Sequence, residues 1–573
     1  ACMRREEVLR NHWFFSQEVG KEDALAPDFQ RENWQAIQVP HDWSIYNDFD
    51  HYSLAQNEGG QLNGGQAWYR TQFYLEEDAS LVSVRLLFDG VYMNAQVYIN
   101  GQVLGYYPNG YTPFSYDITP YLRNDGTANQ LAVFVENQQP SSRWYSGSGI
   151  YREVKLLITD AVHLDLYGIK IASPKLKEQR DRWVETQLTS KVSNDGPQSV
   201  SVYLEQSIWY DGQQLSDWQA TDSLVIESGD KYSFKQAISI FQPLLWDIAS
   251  PHLYQLKTRL YKNGILVNEE EETFGYRYMD WQADKGFFLN GRWLKIHGVC
   301  LHHDYGALGA VENRSAAERR LRQMKEMGVN AIRITHNPAS SILLDVAAKM
   351  GLLIQEEAFD TWYGGKKEYD YGRFFEEEAT HPEAKAGDFW SDYDLNTMVE
   401  RGKNNPAIFM WSLGNEVSEA NGDSHSLRTI KRLLERVKEV DDSRFVTMGM
   451  DQFRFGDGSG GHEKIADLLD VVGLNYSEDN IDGIRKRHPK WRLYGSETSS
   501  ATRTRDSYFR PDKEWIGDNR RVRNFEQSDY GNDRVPWGKT ATASWIADRN
   551  RLDYAGQFIW TGVDYIGEPT PWH

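Results

Sequence analysis

From about residue 286 onward, short apolar runs alternate with stretches of helical period, and this alternation constrains the fold more than any other feature of the chain. The runs cover residues 294–299, 331–334, 352–355, 408–413, 445–448, 471–474, 491–494 and 558–560. Between them apolar residues recur at three and four, most clearly over 317–327 and 427–440. Eight strand candidates in βα order are what a (β/α)8 TIM barrel requires. A doubly wound sheet also alternates, but seldom through eight units without a glycine-rich phosphate loop. The last strand candidate ends 13 residues before His573. That leaves no room for a closing helix, so the native chain is expected to continue past this point.

The preceding 285 residues follow a different pattern. Residues 84–88 alternate, Gly90 breaks the run, and 95–99 lead into Asn100-Gly101, a strong hairpin signal. Further strands are expected over 131–136 and 152–158, with no helical period to compete, which predicts a β-sandwich of the jelly-roll type for residues 1–160. Residues 161–276 repeat the style with strands over 183–188, 200–204 and 268–274 and turns at Asp211-Gly212 and Asn263-Gly264. This predicts an immunoglobulin-like β-sandwich. The barrel then takes residues 277–573.

Composition excludes several classes of function. The net charge of -20, from 63 basic and 83 acidic residues, argues against a nucleic-acid partner. No apolar stretch is long enough for a transmembrane helix. The opening residues lack the apolar core of a signal peptide, which favours the cytoplasm, with secretion after removal of such a segment as the alternative. Cys2 and Cys300 cannot form a disulfide framework. The 20 Trp and 32 Tyr suit either sugar stacking or sandwich cores.

Two carboxylates end barrel strand candidates: Glu416 closes the fourth and Glu497 the seventh, both at the end of the barrel that carries chemistry. Cleaving an acetal needs one carboxyl group to protonate the departing oxygen and a second, ionised, to attack C1 or activate water. Their separation decides between retention and inversion, and sequence does not give it. Asn415 can point its amide into the same pocket only if the strand end is bulged, because adjacent strand residues face opposite ways. Gly414 permits that distortion.

Trp411-Ser412-Leu413-Gly414-Asn415-Glu416, preceded by Lys403-Asn404-Asn405-Pro406, resembles the acid/base signature of glycoside hydrolase family 2. Asn330-Ala331-Ile332-Arg333-Ile334-Thr335-His336-Asn337-Pro338 is similar to a second signature, and Tyr494-Gly495-Ser496-Glu497-Thr498 to the nucleophile block. The resemblance implies a retaining mechanism with Glu416 as acid/base and Glu497 as nucleophile. It further implies that Asn415 bonds the sugar 2-hydroxyl, that Tyr476 orients the nucleophile, and that Arg333 and His336 bind hydroxyls or hold Glu497 ionised. His302 or His303 matches the strand-one motif, in which Cys300 stands where many members have Asn. Trp560 matches the aromatic platform under the sugar.

Resemblance to the galactosidase branch rests on the loop Arg143-Trp144-Tyr145-Ser146-Gly147-Ser148-Gly149-Ile150-Tyr151-Arg152, on Glu356-Glu357-Ala358-Phe359-Asp360-Thr361-Trp362, and on Phe558-Ile559-Trp560-Thr561-Gly562-Val563-Asp564-Tyr565. It implies an exo-acting β-galactosidase with Arg143 or Trp144 at the substrate. Asp360 bonds a sugar hydroxyl or caps the following helix. β-Glucuronidase is the alternative, for which Arg503 and Arg505 could supply a cation to pair with the uronate. No cofactor is required on this reading. Some large galactosidases of the family place a divalent cation beside the acid/base through a Glu-Thr-His element, but Asp360-Thr361-Trp362 lacks the histidine. Glu357 and Glu416 alone would make a thin shell for such an ion. The insertion over 363–392 is expected to wall the outer subsite or to meet another subunit of a homo-oligomer.

Overall fold

A computed structural model of the chain describes residues 4–28, 30–516 and 526–568. Cys2 lies outside the described residues, and Cys300 is a buried free thiol.

The first unit is a sandwich of two antiparallel sheets. One sheet has four strands, in the order Arg5–Val8, Val154–Asp160, Val82–Phe88, Phe114–Asp117. The other has six, in the order Gln35–Ile37, Trp13–Ser16, Gly65–Phe73, Asn129–Asn137, Ala95–Ile99, Gln102–Tyr107. The Asn100-Gly101 turn has φ of 49° and 79°, the double positive φ that a tight hairpin needs to match strand twist. The second unit packs a three-stranded sheet (Val162–Ala172, Trp183–Asn194, Lys231–Phe241) on one built around Val200–Tyr210, Tyr254–Lys262 and Ile265–Phe274. Alternating burial along Tyr254–Lys262 shows one face on the core and one towards solvent, which gives the immunoglobulin-like sandwich its sequence pattern.

The third unit is a closed barrel of eight parallel strands. They are β1 (Ile296–Leu301), β2 (Ala331–Ile334), β3 (Leu353–Glu357), β4 (Ile408–Asn415), β5 (Phe445–Met450), β6 (Val472–Asn475), β7 (Leu493–Ser499) and β8 (Gly556–Trp560). All eight coincide with the apolar runs, because strands covered on both faces read as continuous hydrophobic segments. The surrounding helices carry ordinary punctuation. Ser341–Met350 starts at Ser340, whose side chain accepts from the Leu343 N–H, and stops at Gly351 in the left-handed region.

The insertion over 363–392 divides its residues: Lys367, Asp370 and Tyr371 line a cavity with Arg143, His336 and Asp360, and Phe375 joins the barrel core, while other residues pack against the first sandwich. Phe374 and Trp390 belong to that sandwich's core. The hydroxyls of Tyr107 and Tyr371 and the Asn109 amide all donate to the buried Asp394 carboxylate. Arg85 reaches Glu383 at 2.6 Å. Phe374, Trp390 and Tyr371 of the insertion therefore weld the barrel to the first sandwich. Among the described residues no helix is long and apolar enough to cross a membrane.

Candidate active site

Three interruptions of the strand ladder build the site. Pairing of β4 with β5 slips between Ser412 and Asn415, that of β6 with β7 between Gly473 and Asn475, and that of β7 with β8 between Gly495 and Thr498. Each slip re-aims the side chains that follow it, as bulges at barrel rims do. Beyond the first, Glu416 takes φ of 46° and its N–H donates to Gly449 O at 2.7 Å. Tyr476, at φ of 55°, donates its N–H to Glu497 O at 2.8 Å. Left-handed backbone at a side chain with a Cβ costs about 1–3 kcal/mol, which the surrounding hydrogen bonds must offset.

Arg333 is the hub. It is fully buried, and its Nη1 donates to Glu497 Oε1 at 2.9 Å and to Ser496 O at 3.0 Å. Its Nη2 reaches both oxygens of Glu357, at 3.0 and 2.9 Å, and Asn415 Oδ1 at 3.0 Å. Gly449 makes room for this fork, since a Cβ there would sit 2.6 Å from Nη2. Glu357 also accepts from the Ser412 hydroxyl at 2.6 Å and lies 2.6 Å from His336 Nδ1. Burial, reinforced by Arg333, drives the His336 pKa well down, so the ring is neutral. Its contact with Glu357 is then a hydrogen bond from Nδ1–H, and the Nε2 lone pair faces the pocket, 3.8 Å from Glu497 Oε1.

Glu497 is 6% exposed, while Glu416 is partly open. Burial pushes the Glu497 carboxyl up to about 7, the Glu416 charge adds to the rise, and Arg333 and the Tyr476 hydroxyl oppose it. Arg333 and Tyr476 both favour charge on Glu497, which suits it to act as the ionised member of the pair.

Asn475 ties the pair together. Its Nδ2 donates to Glu416 Oε2 and to Asn415 Oδ1, both at 3.1 Å, and its Oδ1 accepts from Ser496 Oγ. The Asn415 Oδ1 is held by Arg333 and Asn475, and one amide N–H goes to Asp360 Oδ1 at 3.1 Å. One N–H of Asn415 is left for a ligand.

Asp360 caps no helix. Arg143, from the first sandwich, grips it with Nη2 at 2.7 Å and Nε at 3.1 Å, and Lys366 Nζ lies 3.0 Å from Oδ1. Burial works against the Asp360 charge, but Arg143 and Lys366 overcome it and hold the carboxyl well below the usual range. Trp144 stacks on His302 at 4.8 Å, and Trp560 stacks on His336 at 5.5 Å. Tyr565 completes this aromatic floor, 4.4 Å from the His302 ring.

The structure separates the two adjacent histidines. His302 faces the pocket. His303 turns away to the first sandwich, with Nε2 at 3.0 Å from Ser146 O and its ring against Tyr111 and Tyr151. Cys300 is a buried neutral thiol beside Ser496 O, its ionisation pushed far up by burial. Both Glu357 oxygens are held by Arg333, His336 and Ser412. Arg503 and Arg505 are exposed, and Arg503 lies 3.5 Å from Asp529. Ser412, Gly449, Asn475, Lys366 and Tyr565 were given no role from sequence, and Glu357 was weighed only as a partner of Glu416 for an ion. Only Asn475, next to Tyr476 at a strand end, carries a local signal.

With this geometry in place, comparisons with known proteins give a consistent answer. Residues 8–160, 169–277 and 282–565 match the sugar binding domain, the middle domain and the TIM barrel domain of glycosyl hydrolases family 2. The chain belongs to glycoside hydrolase family 2. A β-galactosidase of Bacteroides ovatus is 37% identical over 96% of this family 2 chain and 66% of its own length. A β-glucuronidase of Bacteroides fragilis is 26% identical over 87% of this chain and 68% of its own length. The crystal structure of a family 2 member from Bacteroides cellulosilyticus superposes with a TM-score of 0.85 at 30% identity, covering 98% of this chain and 66% of that one. The chain therefore spans about two thirds of the length of these family 2 relatives.

Proposed function

We propose that the protein is a retaining, exo-acting β-galactosidase. In this reading Glu497 attacks the anomeric carbon while Glu416 protonates the leaving oxygen, and a covalent galactosyl-enzyme forms. Glu416 then deprotonates water, which displaces Glu497 and releases galactose with its β configuration kept. Arg333 and Tyr476 stabilise Glu497 as attacking and leaving group. The free N–H of Asn415 meets the 2-hydroxyl, and the Nε2 lone pair of His336 accepts from another hydroxyl. His302 Nδ1, which has no hydrogen-bond partner among the described residues, is available to a third.

The observation that carries the choice of sugar is charge. The three described cations of the pocket face three carboxylates: Arg143 and Lys366 share Asp360, and Arg333 bridges Glu357 and Glu497. The pocket histidines are neutral because burial lowers both His302 and His336. A neutral sugar fits this balance, whereas a uronate wants a spare cation. The kinship with the Bacteroides ovatus β-galactosidase points the same way. The test is kcat/KM on matched aryl β-galactoside and β-glucuronide substrates, with galactoside expected to lead by at least about 10²-fold. A preference for glucuronide would leave the two carboxylates in their roles and overturn the sugar.

A further inference from the structure

The Glu-Thr-His element that brings a divalent cation beside the acid/base in some family members reads Asp360-Thr361-Trp362 here. The residues present do not fit that ion, because the oxygens that would hold it already hold an ammonium. Lys366 Nζ donates to Asp360 O at 2.7 Å, to Asp360 Oδ1 at 3.0 Å and to Asn415 O at 2.6 Å. Two carbonyls and a carboxylate are hard oxygen donors of the kind a cation collects, and an ammonium has three N–H groups to spend on them. All three are used.

We infer that Lys366 is a built-in cation of this active site, standing where relatives with the Glu-Thr-His element use a divalent ion, and that it positions Glu416. The peptide between Asn415 and Glu416 is pinned on both sides. Lys366 holds its carbonyl oxygen, and Gly449 O holds its N–H at 2.7 Å. Asp360, itself paired with Lys366, holds the Asn415 side chain. These contacts fix the backbone at the residue with φ of 46°, and therefore the direction of the Glu416 carboxyl. Lys366 is a positioning residue, because it works through Asn415 and through its charge.

Its side chain is 19% exposed, so that charge is poorly screened. The other charged groups around Glu416 are Glu497 from β7, Asp451 after β5 and Arg143 from the first sandwich, with the Tyr476 hydroxyl beyond β6. Among these groups Lys366 is the cation that anchors the Asn415–Glu416 peptide, through Asn415 O and Asp360.

The test uses the full chain and any aryl β-glycoside it cleaves, so a wrong sugar assignment leaves it intact. K366M, similar in length but uncharged, is expected to lose about 10²-fold in kcat with little change in KM. K366A, which leaves a hole, regains part of that loss with added methylammonium, and K366M does not. Wild-type kcat is indifferent to EDTA and to added Mg2+. Thermal melting of each variant separates misfolding from mispositioning, and the EDTA arm needs no variant at all. A folded K366M with wild-type kcat overturns the inference, as does a wild type that EDTA silences and Mg2+ restores.

Discussion

Glu356 and Glu357 are neighbours on β3, both without measurable exposure and both facing an arginine, yet they serve different ends. Glu357 points into the barrel, where Arg333 links it to Glu497, and His336 and Ser412 complete its shell. Glu356 points the other way, as the next residue of a strand must. Arg401 holds it at 3.3 and 3.2 Å and also lies 3.7 Å from Asp89 of the first sandwich. Burial pushes both carboxyls up and an arginine opposes it in each case. A perturbed buried acid is therefore no mark of chemistry by itself. What distinguishes Glu357 is that its arginine has an N–H left for a second carboxylate at an open pocket.

The largest effect expected lies at the far end of the Glu357 network. Glu497→Gln keeps the shape and removes the nucleophile, so kcat falls on the order of 10⁴-fold or more. A variant within tenfold of wild type would sink the assignment. Next, Glu357→Gln loosens Arg333 and presents an amide N–H to His336 Nδ1, which reverses the tautomer. About 10²-fold in kcat/KM is expected to go, with the His336 nitrogen resonances reporting the change. The comparison predicts the opposite split for Glu356→Ala. It should cost about 3 kcal/mol of stability, seen in denaturant or thermal melting, while kcat of the folded enzyme stays put. If both variants lost activity alike, the distinction between the two faces of β3 would collapse.

The smallest effect is a pH dependence of stability. The Glu497 pKa rises from 4.5 to about 7 on folding, so the native state binds its proton more tightly than the unfolded chain does. That contribution is fully present below 4.5 and is lost as pH rises through 7. Melting curves of wild type and Glu497→Gln at pH 5 and pH 8 should therefore diverge, with the variant gaining on wild type at the higher pH. Parallel curves would mean that the pocket leaves this carboxyl unperturbed.

Much of this architecture was legible because the relevant forces act along the sequence. Strands buried on both faces must be apolar throughout, and tight hairpins must have residues that tolerate positive φ, so the eight barrel strands and the Asn100-Gly101 turn announced themselves. Glu416 and Glu497 stood out as charges that abruptly end apolar runs. The tie of Glu357 to Arg333 hid by the same rule, since the reading closed β3 at residue 355 where its charges began, although the strand runs on through Glu357. His302 and His303 could not be told apart because direction at a strand end is set by a partner domain. Lys366 sits in a charged, glycine-containing insertion where nothing local says that its ammonium will fold back onto Asp360 and Asn415.

The grip of Arg143 on Asp360 joins residues 217 positions apart. At a synthesis rate of about 5–20 residues per second, roughly 10–40 s separate their arrival from the ribosome. The first sandwich thus has time to fold while Arg143 still lacks its carboxylate, and the barrel must later close around a loop already in place. Assembly of this pocket is a docking step with a built-in delay, and variants that slow the folding of the first sandwich should be felt as poorly assembled active sites before they are felt as unfolded protein.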